Sequence, residues 1–146
     1  MPAIAWWPGY IKAGSTSDEL IVGMDLLPTI MDIVGIDIPE QRKLDGISIK
    51  HHLLDQADLP DRHVFFGYEP KLGTAMRDGH WKMQTKGDVV ELYDLSRDIK
   101  ETTNVADMRV NRTKEMKAAI EKWKLEVTPQ AAPQREAASL KGQEHD

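Results

Sequence analysis

The stretch TAMRDGHWKMQTKGDVVELYDL, residues 74–95, decides how the second half of this chain folds. Asp78-Gly79 stands between two strand-like arms, a strong signal for a two-residue hairpin. Lys86-Gly87-Asp88 marks a second turn, and VVELYDL (89–95) continues as a further strand. Upstream, HVFFGY (63–68) is rich in strand-forming side chains. The spacing therefore predicts an antiparallel meander of three or four strands. Along the arm after Asp78-Gly79, alternation sends His80, Lys82 and Gln84 one way and Trp81 and Met83 the other, with the second set as core.

Working outward, NRTKEMKAAIEKWKLEV (111–127) is an amphipathic helix. Met116, Ile120, Trp123 and Val127 form its apolar stripe, which predicts that it lies on the face of the meander carrying Trp81. Asn111-Arg112-Thr113 fits a glycosylation triplet, a pattern common by chance. Residues 128–146 are polar with two prolines and read as a disordered tail.

The N-terminal half has a different character. Residues 3–7, AIAWW, form a short apolar run closed by Pro8-Gly9, which reads as a strand buried on both faces. Residues 19–34 contain a helical repeat, but Pro28 inside one long helix would cost roughly 3 kcal/mol. In a first turn it costs little. The segment is therefore split into a strand at 19–24, an N-cap at Asp25 and a helix at 26–34 stopped by Gly35. Asp25 could instead ligate a metal, although no second ligand stands near it in sequence. Asp45-Gly46 makes a turn, and Ser48 is placed to cap a short helix through Leu54. His51 and His52 point about 100° apart on such a helix, poor geometry for sharing one metal.

Composition sets limits on function. A chain of 146 residues holds a real core. Acids outnumber Lys plus Arg by 24 to 19, which argues against nucleic acid. There is no cysteine, hence no disulfide and no thiolate nucleophile. No apolar run approaches the ~20 residues of a membrane span, and the N-terminus lacks a basic n-region of a secretory signal. The compartment stays open.

Four segments, taken together, resemble a known family: PAIAWWPGYIKAGSTSDELIVGMDLLPTIMDIVGIDIPE, LDGISI, AMRDGHWKMQ and ELYDLSRDIKETTNVA. In that order and spacing they are similar to the C-terminal part of type I sulfatases, the arylsulfatase relatives of alkaline phosphatase. The likeness runs from Pro2 to about Val127. It implies an α/β (α+β) fragment: terminal strands and a helix of a large α/β domain at residues 1–60, then an antiparallel meander with a helix at 61–127. It also implies that the carboxylates and hydroxyls of residues 91–106 organise a turn rather than perform chemistry. A cation site or a partner contact is the alternative for that stretch.

Family catalysis uses a formylglycine, made within C/S-x-P-x-R, together with a divalent cation, usually calcium. None of the serines at 15, 17, 48, 96 and 139 begins that motif, and the family's metal ligands lie upstream of this segment. No catalytic residue, metal ligand or cofactor is carried over to this chain, which the resemblance therefore implies is inactive alone. Glu69, Lys71 and His80, at hairpin ends, are candidates for a substrate rim, with ordinary turn residues as the alternative. Three roles follow: a fragment of a full sulfatase, a subunit that docks on a missing N-terminal half or self-associates, or a stand-alone module for sulfated sugars. For the last, Lys71, Arg77, Lys82 and Lys86 are the local cations, opposed by Glu69, Asp78 and Asp88. Full-length relatives are often periplasmic, secreted or lysosomal; no signal peptide is read in this segment, and its localisation stays unknown.

Overall fold

The computed structural model describes residues 2–39, 41–69 and 73–127. Two units are distinguished, 1–62 and 63–146. The expected tail at 128–146 and the rim candidate Lys71 lie outside the described residues.

In the second unit, among the described residues, one antiparallel sheet runs β1 (His63–Glu69), β2 (Gly73–Asp78), β3 (Trp81–Lys86) and β4 (Val89–Asp94), in spatial order β1-β2-β3-β4. Asp78 pairs with Trp81, so the first tight loop is Gly79-His80, one residue later than the Asp-Gly signal suggests. Lys86 pairs with Val89, leaving Gly87-Asp88 as the second. Each loop starts with a glycine at positive φ, 54° and 57°, the backbone that a two-residue connection demands there.

Met76, Met83 and Leu92 lie directly opposite one another across three strands, and all three are fully buried. The helix α3 (Val110–Val127) adds Met116 and Ile120 to the same cluster, with Trp81 packed at its margin. Trp123 stacks on Phe65 with centroids 4.9 Å apart and planes nearly parallel. The expected stripe thus holds from Met116 to Trp123, but Val127 is exposed, because the helix ends there beyond the core.

The first unit departs from expectation in its strands. Residues 3–7 and 19–24 are not strands. A strand buried on both faces needs hydrogen-bonded neighbours, and the sheet among the described residues contains none from this unit. Residues 7–10 turn instead, with Trp7 stacked on Tyr10 at 4.2 Å, and Gly23–Asp25 forms a single 3-10 turn. Helix α1 spans Leu26–Val34, with Pro28 in its first turn. Gly35 at φ 70° ends it, and the Ile36 N–H donates to the Met31 carbonyl at 2.9 Å. Helix α2 is Lys50–Asp55, preceded by Ile49 rather than capped at Ser48. Ser48 sits one residue further out, where its Oγ accepts from the Lys50 N–H at 3.3 Å and donates to Asp32 at 2.6 Å.

Candidate functional site

Asp25 is the most constrained polar group of the first unit. It is fully buried, and the Arg62 guanidinium grips it as a fork: Nη1 donates to Oδ1 and Nη2 to Oδ2, both at 2.6 Å. The Val22 N–H donates to Oδ2 at 2.9 Å and the Ile47 N–H to Oδ1 at 3.1 Å. Burial pushes the carboxyl upward, but Arg62 and the two amides outweigh it and hold Asp25 below the usual carboxylate range. Arg62 also donates to the Leu20 carbonyl at 2.7 Å. Thr29 continues the tie, donating to the Asp25 carbonyl at 2.6 Å while accepting from the Ile49 N–H at 3.0 Å.

This arrangement corrects both readings of Asp25. Its carboxylate does not cap α1. Nor is it available to a metal, because four N–H donors occupy its two oxygens. It fastens α1, the loop through Ile47 and the segment ending at Arg62 to one point. Gly46 makes this approach possible: a Cβ there would stand 2.0 Å from the Met24 carbonyl oxygen.

In the second unit the carboxylate-rich stretch is a lacework of local bonds. Asp94 accepts from the Ser96 hydroxyl and N–H. Asp98 accepts from the N–H groups of Thr103 and Thr102, each at 2.8 Å, and these, led by Thr103, hold it below the usual range. Glu101, at φ 57°, takes both its carboxylate oxygens to Lys82 Nζ, at 2.6 and 2.7 Å. Asn104 behaves like a piece of backbone. Its Oδ1 accepts from the N–H groups of Leu92 and Ala106, and its Nδ2 donates to the Val90 carbonyl. With the Val105 N–H donating to the Leu92 carbonyl at 2.8 Å, the loop closes the outer edge of β4.

The rim candidates do not converge within the meander. Glu69 ends β1 opposite Gly73, at the start of β2. His80 lies in the loop beyond the other end of β2, about 17–20 Å away along the strand. The imidazole is half exposed, tilted against Trp81 with centroids 5.1 Å apart, and 3.9 Å from Asp94. On α2, His51 is exposed and bonded to Asp55, whereas His52 is half-buried between Ser17 and the Ala57 carbonyl; their directions diverge as the helical offset predicts. Among the described residues no three His, Cys, Asp or Glu side chains are grouped to hold a metal ion. The described residues thus bring together no ligand set for the divalent cation that the resemblance implies, and the 146 residues contain no C/S-x-P-x-R for formylglycine. No helix among the described residues is long and apolar enough to cross a membrane.

In chain order, a strapped helical segment is followed by a small meander and a helix packed on it. The chain belongs to the sulfatase C-terminal family: the family model described as N-sulphoglucosamine sulphohydrolase, C-terminal, matches residues 1–128. Among curated proteins, the chain is 42% identical over 65 residues to N-acetylgalactosamine-6-sulfatase of Homo sapiens, covering 44% of this chain and 12% of that protein. It is 34% identical over 94 residues to an arylsulfatase of Hemicentrotus pulcherrimus, covering 64% of this chain and 17% of the relative. The chain thus spans less than a fifth of either relative. Among solved structures, Ps i-CgsB in complex with k-i-k-neocarrahexaose superposes with a TM-score of 0.73 at 23% identity, over 81% of this chain and 27% of that one. BT1596, a 2-O GAG sulfatase, gives 0.55 at 26% identity, over 70% and 24%.

Proposed function

We propose that this chain is the C-terminal portion of a sulfuric ester hydrolase, and that it serves as a non-catalytic fragment or subunit completing a catalytic portion supplied by other polypeptide. The observation that carries this reading is the combination of a family match over residues 1–128 with polar groups that are already spent on holding the fold. Asp25, Asp98, Glu101 and Asn104 are all engaged within the chain. Neither a nucleophile motif nor a cation-binding cluster accompanies them among the described residues. The formylglycine and divalent cation of the family would belong to the other portion.

The alternative, a stand-alone module for sulfated sugars, needs free cations on one face. Lys82 is neutralised by Glu101, which removes one of the local cations that reading needs. Glu69, Lys71 and His80 keep a place only as rim residues of the assembled enzyme.

The test is an aryl sulfate assay of the purified chain, with and without calcium. No turnover above a heat-killed control is expected. Activity that survives repurification would overturn the proposal.

A further inference from the structure

Ser17 and His52 stand apart from the ties of Asp25 and form a pair with a chemical direction. His52 Nδ1 lies 2.7 Å from the Ala57 carbonyl oxygen, and Nε2 lies 2.8 Å from Ser17 Oγ. A carbonyl only accepts, so Nδ1 carries the proton. In the neutral ring Nε2 then presents a lone pair, and the Ser17 hydroxyl donates to it. Nucleophile, base and orienting group in this order are the arrangement that activates a serine.

Local backbone supplies the orienting group. Helix α2 ends at Asp55, and Gln56 takes a left-handed φ of 56°, uncommon for a residue with a side chain. The Ala57 N–H then donates to the His51 carbonyl at 3.3 Å, and the Ala57 carbonyl is set against His52, five residues back. Lys12 Nζ donates to the Gln56 side chain at 3.3 Å. Asp55 is bonded to His51, so a backbone carbonyl rather than that carboxylate orients His52. On the serine side, Ser17 Oγ accepts from the Glu19 N–H at 3.1 Å. That bond uses one lone pair and leaves the other for attack. Ser17 is exposed, so an incoming group reaches it from solvent.

We infer that Ser17 is a nucleophile toward carboxylic esters, with His52 as its general base. The Oγ–C bond forms at the ester carbonyl while the Oγ proton passes to His52 Nε2. The ester C–O bond then breaks, the alkoxide or aryloxide leaves with the electron pair, and the proton on His52 neutralises it. Ser17 is left as an acyl ester, which water cleaves with the same base. A backbone carbonyl orients His52 but brings no full charge to stabilise an imidazolium. The expected donors are therefore small activated esters rather than amides. This chemistry is separate from the sulfuric-ester reading above, and neither depends on the other.

The experiment treats the full chain with p-nitrophenyl acetate and maps acetyl groups by peptide mass spectrometry. Ser15 is a control inside the molecule. It is also exposed, but its hydroxyl donates to the Lys12 carbonyl at 2.8 Å, which is no base. Ser17 should acetylate at least ~100-fold faster than Ser15. His52→Gln keeps polar partners for Ser17 and Ala57 but supplies no base. It should slow acetylation of Ser17 at least ~100-fold, while hydrogen exchange of residues 20–54 stays at the wild-type level.

Equal acetylation of Ser17 and Ser15 in the wild-type chain would overturn the proposal, a comparison that stands whether or not the variant folds. An undiminished Ser17 rate in folded His52→Gln would do the same, because the pair would then be a structural tie alone. So would acetyl found on His52 and never on Ser17.

Discussion

Arg62 holds Asp25 by both terminal nitrogens at 2.6 Å, across 37 residues of sequence, with the carboxylate wholly buried. Replacing only one partner leaves the other charge buried and alone. Arg62→Met should therefore destabilise the first unit by about 3–5 kcal/mol. Hydrogen exchange of residues 20–54 measures this, and a loss below about 1 kcal/mol would mean the fork contributes little.

The same pair sets an acid limit. Folded Asp25 binds its proton more weakly than the unfolded residue does, because its pKa is lowered. Its contribution is complete above the unfolded value of about 4 and is lost as pH falls through the lower folded value. Protection of residues 20–54 should hold at pH 6 and fall in the most acidic range. In Arg62→Met the decline should begin at higher pH, and coincident profiles would rule out Asp25 as the titrating group.

Gly46 is required for space rather than for its φ. A Cβ would meet the Met24 carbonyl oxygen at 2.0 Å and the Asp25 nitrogen at 2.8 Å, both backbone atoms. Gly46→Ala should cost about 1–3 kcal/mol and should loosen the Ile47 N–H bond to Asp25. A thermal melt indistinguishable from wild type would show that the loop moves aside freely.

Ile120 and Trp123 should differ. Ile120 is fully buried among Met76, Met83 and Leu92, so Ile120→Ala should cost about 2–5 kcal/mol. Trp123 is half-buried and rests on Phe65, so Trp123→Ala should cost less, about 1–3 kcal/mol. Denaturant titration of both variants checks the order; a larger loss at Trp123 would reverse the account of the core.

Asn104→Ala should strip the β4 edge of its side-chain partner and leave the Leu92 N–H unsatisfied, at about 1–3 kcal/mol. Asn104→Asp keeps an acceptor and loses only the donor to Val90, so its cost should be smaller. Exchange of the Leu92 amide reads this directly, and equal rates in all three proteins would remove Asn104 from the edge.

The sequence by itself determined the parts of this protein whose causes are local. Period-two alternation around Trp81 and Met83, glycines between short arms and the Met116-to-Trp123 stripe specify the meander and α3, because each depends on neighbours a few residues away. Pro28 and Gly35 likewise bounded α1. What only the tertiary structure decided depends on distant pairs. Nothing near Asp25 announces Arg62, so its carboxylate read as a cap. Asn104 looked like one more polar loop residue until its amide met Val90 and Leu92. The run at 3–7 read as a strand buried on both faces and that at 19–24 as a short strand, but a strand exists only where another backbone bonds to it. The direction of α1 is the sharpest case. Periodicity located its apolar stripe, yet the bonds of Asp25, Thr29 and Asp32 to residues 16 to 37 positions away turned that stripe outward.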